Sequence, residues 1–208
     1  MGKPSKTLTR TVRPATRKIK KSTKGASTPL LNIQAPGLES VAVQISVRIR
    51  ELHMPYGTIM DPVFAAPESG SIVSYTRTGD SAIWTGHYLA AEAFRFATTG
   101  NSDALANVAG AIAGIRGLVD ITGNDVLARV AIPTDSPYAA AIQKEEGGHG
   151  VFPGRLHGRE CFWIGNTTRD QYSGALFGLG VALDLVRDAS VQRDVKDLFG
   201  GAFERFCG

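Results

Sequence analysis

Cysteine is almost missing from this sequence, and its placement excludes two chemistries. Cys161 and Cys207 lie far apart, form no CxxC pair and offer no metal-ligand spacing. A reduced, structural role is expected for both, and no metal site is expected. Long apolar runs are missing too. None approaches the roughly 18 residues that cross a bilayer. The N-terminus also lacks the apolar segment of a secretory signal. A soluble protein is therefore expected. No G-x-x-x-x-G-K-[ST] and no G-x-S-x-G occurs, which removes the sequence basis for a phosphate-cradling loop or a serine elbow. The glycines are scattered and form no dinucleotide turn, so no cofactor is expected. Asn166-Thr167-Thr168 fits a glycosylation acceptor, a three-residue pattern common by chance.

Acidic residues are absent from the first stretch as well. The first is Glu39, whereas residues 1–24 hold nine bases. Setting those nine aside leaves 14 bases against 19 acids, so residues 25–208 carry a net charge of −5. The basic isoelectric point thus belongs to the N-terminal segment alone. Such a segment attracts phosphate or anionic lipid, but it has no interleaved aromatics for stacking on bases. Lacking acids while holding Arg, Ser and Thr, it also faintly resembles an organelle-targeting sequence. A solvated, disordered tail over residues 1–37 is the expectation. Docking of that tail on nucleic acid or an anionic membrane is the lesser alternative.

What remains is ordinary for one globular domain, at 43% hydrophobic and 20% charged residues. Val41, Ile45, Ile49 and Leu52 recur at helical spacing in a run ending near His53, stopped by Pro55 and Gly57. Residues 54–79, rich in Pro and Gly, read as a long loop. A second helix starts at Asp80 or Ser81 and ends at Gly100, with Ile83, Trp84, His87, Ala91 and Phe94 as its expected inner stripe. A third runs from Ser102 or Asp103 to Gly123, with Leu105, Val108, Ile112, Ile115 and Val119 inward. Residues 124–167 hold many Pro and Gly residues and predict no helix. Within them, Gly150–Leu156 and Arg159–Ile164 suggest a short hairpin turning at His157-Gly158. A fourth helix spans about Arg169 to Arg187, with Tyr172, Leu176, Leu179, Leu183 and Val186 inward. A fifth spans roughly Ser190 to Phe206.

The segments Gly79-Asp80-Ser81-Ala82-Ile83-Trp84-Thr85-Gly86-His87-Tyr88 and Trp163-Ile164-Gly165-Asn166-Thr167-Thr168-Arg169-Asp170-Gln171-Tyr172-Ser173-Gly174 share a pattern. Each is a small, polar loop passing through an acid and an aromatic into a helix rich in Ala, Gly and Leu. This resembles the six-hairpin (α/α) toroid proteins of carbohydrate chemistry, such as unsaturated glucuronyl hydrolases. The resemblance covers about residues 39–206. It implies a mainly α fold: an incomplete toroid-like array of about five helices, with a long loop and a short β-hairpin, over residues 38–208. A complete toroid needs about a dozen helices. The chain therefore reads as a fragment, a shortened relative or part of an oligomer. An uncovered helical edge would then offer a surface for self-association.

The resemblance also implies a hydrolase or lyase acting on an oligosaccharide through carboxylate acid/base chemistry. Asp80 and Asp170 are the candidate carboxylate pair. A helix N-terminus would hold each ionised, which suits a base or a water-positioning group better than a general acid. His87 and His149 are the candidate assisting groups, with His149 on a flexible loop over the site. Trp84, Tyr172 and Trp163 are candidate sugar platforms. Arg169 would pair with Asp170 or grip a substrate carboxylate. Each has a plainer alternative: helix caps for the aspartates, core packing for the aromatics and His87. On that alternative the chain is a non-catalytic helical binding or scaffold module.

Overall fold

In a computed structural model, residues 37–200 are described. The basic tail (Gly37 apart), Cys207 and the expected last turns of the fifth helix lie outside them. The described residues correct the mainly α expectation. They form a mixed α/β structure, 59% helical, with six α-helices and five strands in two small antiparallel sheets.

The order is α1 (Leu38–Arg48), a π-helical turn (Ile49–His53), β1 (Asp61–Phe64), β2 (Ile72–Thr76), α2 (Ser81–Thr99), α3 (Ser102–Asp120), β3 (Val130–Pro133), α4 (Ala139–Glu146), β4 (Val151–Leu156), β5 (Arg159–Ile164), α5 (Arg169–Leu185) and α6 (Ala189–Leu198). β1 and β2 form a hairpin inside the stretch expected to be loop. They are four and five residues long, and Pro62 and Pro67 obscure the pattern. β3 and α4 lie inside the stretch expected to lack helix. α4 fits its eight residues between Pro137 and Gly147. The β4–β5 hairpin turns at His157-Gly158, both at positive φ. β3 pairs with the other edge of β5, giving the order β3-β5-β4.

Alternation along that sheet serves two cores. Ala131, Cys161 and Trp163 face the helices, where Leu89, Val108, Ile112, Ile115, Tyr172, Leu179 and Val195 pack. Val130, Ile132, Phe162 and Ile164 face the other way, onto Ala139 and Ile142 of α4 and onto Met60 and Tyr75. Cys161 is buried, and burial pushes its thiol pKa up.

The expected stripes of α3 and α5 turn inward, but that of α2 does not. Trp84, His87, Ala91 and Phe94 are exposed, Trp84 by 46%. The buried face instead carries Ala82, Gly86, Leu89, Ala90 and Ala93 with Tyr88. The reason is the neighbour. α2 and α5 run in the same direction and cross where only glycine fits. A Cβ on Gly86 would stand 1.9 Å from the Gly174 carbonyl oxygen, and one on Gly178 would stand 2.2 Å from the Gly86 oxygen. The small residues therefore take the interior and the bulky ones are turned out.

Glu92, 3% exposed, anchors a polar network behind this pair. It accepts from Arg95 at 2.7 Å and from Asn107 at 3.1 Å. Asn107 also donates to Ser46 of α1, which bonds the Tyr88 hydroxyl.

Candidate functional site

The close crossing brings the heads of α2 and α5 together. Gln171 donates its side-chain amide to Asp80 Oδ1 at 3.2 Å and to the Gly79 carbonyl at 3.4 Å. Thr168 caps α5 in a reciprocal capping box with Gln171. Its hydroxyl also lies against the Asp170 carboxylate. A short polar chain, Asp80–Gln171–Thr168–Asp170, thus links the two candidate carboxylates.

The two acids differ in how they meet their helices. Asp80 makes no side-chain capping bond to α2, and at α5 the N-cap residue is Thr168. Asp170 is exposed, and its pKa lies below the ordinary value. The Thr168 hydroxyl is the main cause, helped by the amides of Asp170 and Gln171 and by the Arg129 charge. It is held ionised, as a helix start favours.

Arg129, 6% exposed, sits beneath both heads. It donates to the carbonyls of Gly79 at 3.0 Å and Asn166 at 3.2 Å, and to Thr168 Oγ1 at 3.4 Å. One guanidinium therefore ties together the loops that lead into α2 and α5.

The end of α4 clasps the loop before α2. Glu145 accepts from the Thr76 hydroxyl at 2.5 Å and from the Arg77 amide at 2.9 Å. Glu146 accepts from the Gly79 amide at 2.9 Å and from Thr78 Oγ1 at 3.4 Å. Arg77 adopts a left-handed backbone at φ 48° and pairs with Asp61 at 2.8 Å. A non-glycine residue in that region is strained, and the Glu145 bond to its amide helps hold it there.

Glu146 also meets His149, with Oε2 and Nδ1 3.1 Å apart. The Gly147-Gly148 pair, expected to leave a flexible loop, forms a 3₁₀ turn that folds His149 back onto Glu146. The buried carboxylate accepts the Nδ1 proton and leaves Nε2 for other work. The glutamate, the half-exposed histidine and Gly79-Asp80 are consecutive links in one hydrogen-bonded cluster.

The other candidates divide. Trp84 and His87 stand in an exposed row of rings with Phe177 of α5, the centroids 5.8 and 5.4 Å apart. Tyr172 is buried, and its hydroxyl accepts the Leu127 amide at 3.0 Å. Trp163 is half-buried and stacks on Phe152 at 4.6 Å, joining the β4–β5 hairpin to the helical core. Arg169 is exposed at the first position of α5, and no ion pair joins it to Asp170 among the described residues. Sequence reasoning missed Arg129, Gln171 and Phe177, and placed Glu146 only in a flexible loop beside His149. Gln171 three residues after Thr168 was a readable capping-box signal. Nothing in the sequence points to Arg129.

Among the described residues no cluster of His, Cys, Asp and Glu could hold a metal ion, and no helix is long and apolar enough to cross a membrane. Comparison with protein families, curated proteins and solved structures finds no match to the chain.

Proposed function

We propose that this protein is a carbohydrate-active hydrolase or lyase, working at the joined heads of α2 and α5. The observation that carries the reading is the Asp80–Gln171–Thr168–Asp170 chain beside the Glu146–His149 pair. Two carboxylates from distant segments lie along one polar chain, and Asp80 makes no side-chain capping bond to its helix. Cleaving a sugar linkage needs one group to give a proton and another to take one or direct water. Asp170, held ionised, suits the accepting or charge-stabilising role. Asp80 offers its second oxygen to a water or a sugar hydroxyl. His149, oriented through Nδ1 by Glu146, supplies a group that gives or takes a proton at Nε2. The likeness of these two segments to carbohydrate-active toroid proteins points the same way.

The test is turnover of a panel of neutral and uronate-bearing oligosaccharides. New reducing ends report hydrolysis, and ultraviolet absorbance of an unsaturated product reports elimination. Asp80→Asn, Asp170→Asn and His149→Ala should each lower kcat by about 10²–10⁴-fold. Activity surviving all three substitutions, or no turnover across the panel, refutes the reading.

A further inference from the structure

An open groove of about 450 Å³ runs beside the site just described, lined by Ile49, His53, Ile59, Asp61, Trp84, His87, Tyr88 and Ala91. That volume falls within the range of small-ligand sites. Its walls are largely apolar, and Trp84 contributes an exposed indole.

The two histidines define what the groove can accept. His53 Nδ1 lies 3.2 Å from the Met60 carbonyl oxygen, and His87 Nδ1 lies 2.9 Å from the Ile83 carbonyl oxygen. A carbonyl only accepts, so Nδ1 carries the proton in each ring. In the neutral imidazole each Nε2 is then a lone-pair acceptor, with no hydrogen-bond partner among the described residues. The groove's carboxylate, Asp61, is also an acceptor and is held by Arg77. A groove with an apolar floor and acceptors at its margin suits a ligand with one apolar face and several O–H donors. A pyranose ring has that form: its C–H face lies on an aromatic ring while its hydroxyls donate sideways. A purely apolar helix would leave both Nε2 atoms desolvated and unpaired.

We propose that this groove is a saccharide subsite, with Trp84 as the stacking floor and the Nε2 atoms of His53 and His87 as hydroxyl acceptors. The inference rests on the carbohydrate reading above and extends it. Trp84 lies one helical turn beyond Asp80, so a chain of sugars held here would continue toward the α2 head.

The test is NMR on the full chain with xylotetraose, cellotetraose, maltotetraose and chitotetraose as probes. The sequence has two tryptophans, and their indole signals are assigned with Trp84→Phe. At least one tetrasaccharide should move the Trp84 indole and the His53 and His87 imidazole signals saturably, leaving Trp163 still. Trp84→Ala and His87→Ala, both exposed and expected to keep the wild-type Tm, should each weaken binding about ten-fold. Three results overturn the proposal: no probe moves these signals, the shifts survive both substitutions, or the signals respond only to an apolar dye or to protein concentration. The last would mark a bare apolar contact or a second copy. Failure of the two readings is separable. Saccharide binding here without turnover refutes the catalytic reading and keeps the subsite. Turnover with KM unchanged in Trp84→Ala and His87→Ala refutes the subsite and keeps the catalysis.

Discussion

Gly86→Ala adds one methyl group at the α2–α5 crossing, and the structure sets the size of its effect. The new Cβ would lie 1.9 Å from the Gly174 oxygen, 2.4 Å from its carbonyl carbon and 2.8 Å from the Ala175 nitrogen. All three atoms are backbone, so no side chain can swing away. The helices must separate by more than an ångström to reach ordinary contact. Overpacking of this kind costs about 3 kcal/mol, at the upper end of the usual range. Alanine recovers about 1 kcal/mol of helix propensity over glycine. The net loss is then about 2 kcal/mol, a fall in Tm of about 4–8 °C for a chain of this size. Gly110→Ala and Gly180→Ala are the controls. Both are helical and meet nothing within 4 Å, so each should raise stability by up to about 1 kcal/mol. Urea unfolding followed by far-ultraviolet circular dichroism reads all three. If Gly86→Ala is as stable as the wild type, or if the controls lose as much, the account of the crossing is wrong.

Glu92→Ala should cost about 3 kcal/mol by the same assay, because it removes the buried partner of Arg95 and Asn107 and leaves Arg95 only its pair with the exposed Asp103. Tyr75 donates its hydroxyl to the Leu52 carbonyl at 3.0 Å, and burial, aided by Tyr138 and Tyr56, pushes its pKa up to about 12. The folded protein therefore holds this proton more tightly than the unfolded chain. The stability linked to Tyr75 is complete below about pH 10 and is lost as pH rises through 12; Tyr75→Phe should flatten that alkaline loss. Acid acts oppositely on Asp103, Asp170 and Asp188, whose pKa values are lowered by Arg95, Thr168 and Ser190 respectively. Their contribution is complete above about pH 4 and declines as pH falls through the lowered values, so Tm should drop on that side and drop less in Asp188→Asn. Glu146→Gln should release the fixed Nδ1–H form of His149, read from its imidazole nitrogen shifts; unchanged shifts would dissolve the pair.

The legible parts of the fold were those where local chemistry and long-range packing agreed. Gly100 ends α2 in the left-handed region at φ 70°. The α3 stripe and the His157-Gly158 turn fell where their patterns put them. β3, at four residues, is too short for a period, and it is buried along its whole length because both of its faces are covered. α4 was hidden between Pro137 and Gly147, and with it the device that brings Glu146 and His149 together. Asp80 and Asp170 were visible as acids before apolar helices. Arg129, beneath the loops that carry them, was not, since its role depends on the Gly79 and Asn166 carbonyls and the Thr168 hydroxyl, far from it in sequence.

The misread stripe of α2 bears most directly on function. Hydrophobic periodicity assumes that the largest apolar side chains seek the interior. Gly86, Gly174 and Gly178 reverse this by letting two helix backbones touch, because backbone contact leaves no room for an indole. Trp84 and Phe177 are then displaced to the surface, where with His87 they form one row of rings. The same contact sets Asp80 beside Gln171 at the helix heads. One packing choice thus produces both the Asp80–Gln171 contact and the exposed aromatic row. Widening the crossing should accordingly disturb both at once: if the proposed function and subsite hold, Gly178→Ala, whose Cβ meets the Gly86 backbone, should weaken the proposed saccharide contact at Trp84 and lower the proposed turnover together, whereas Gly180→Ala on the same helix should alter neither.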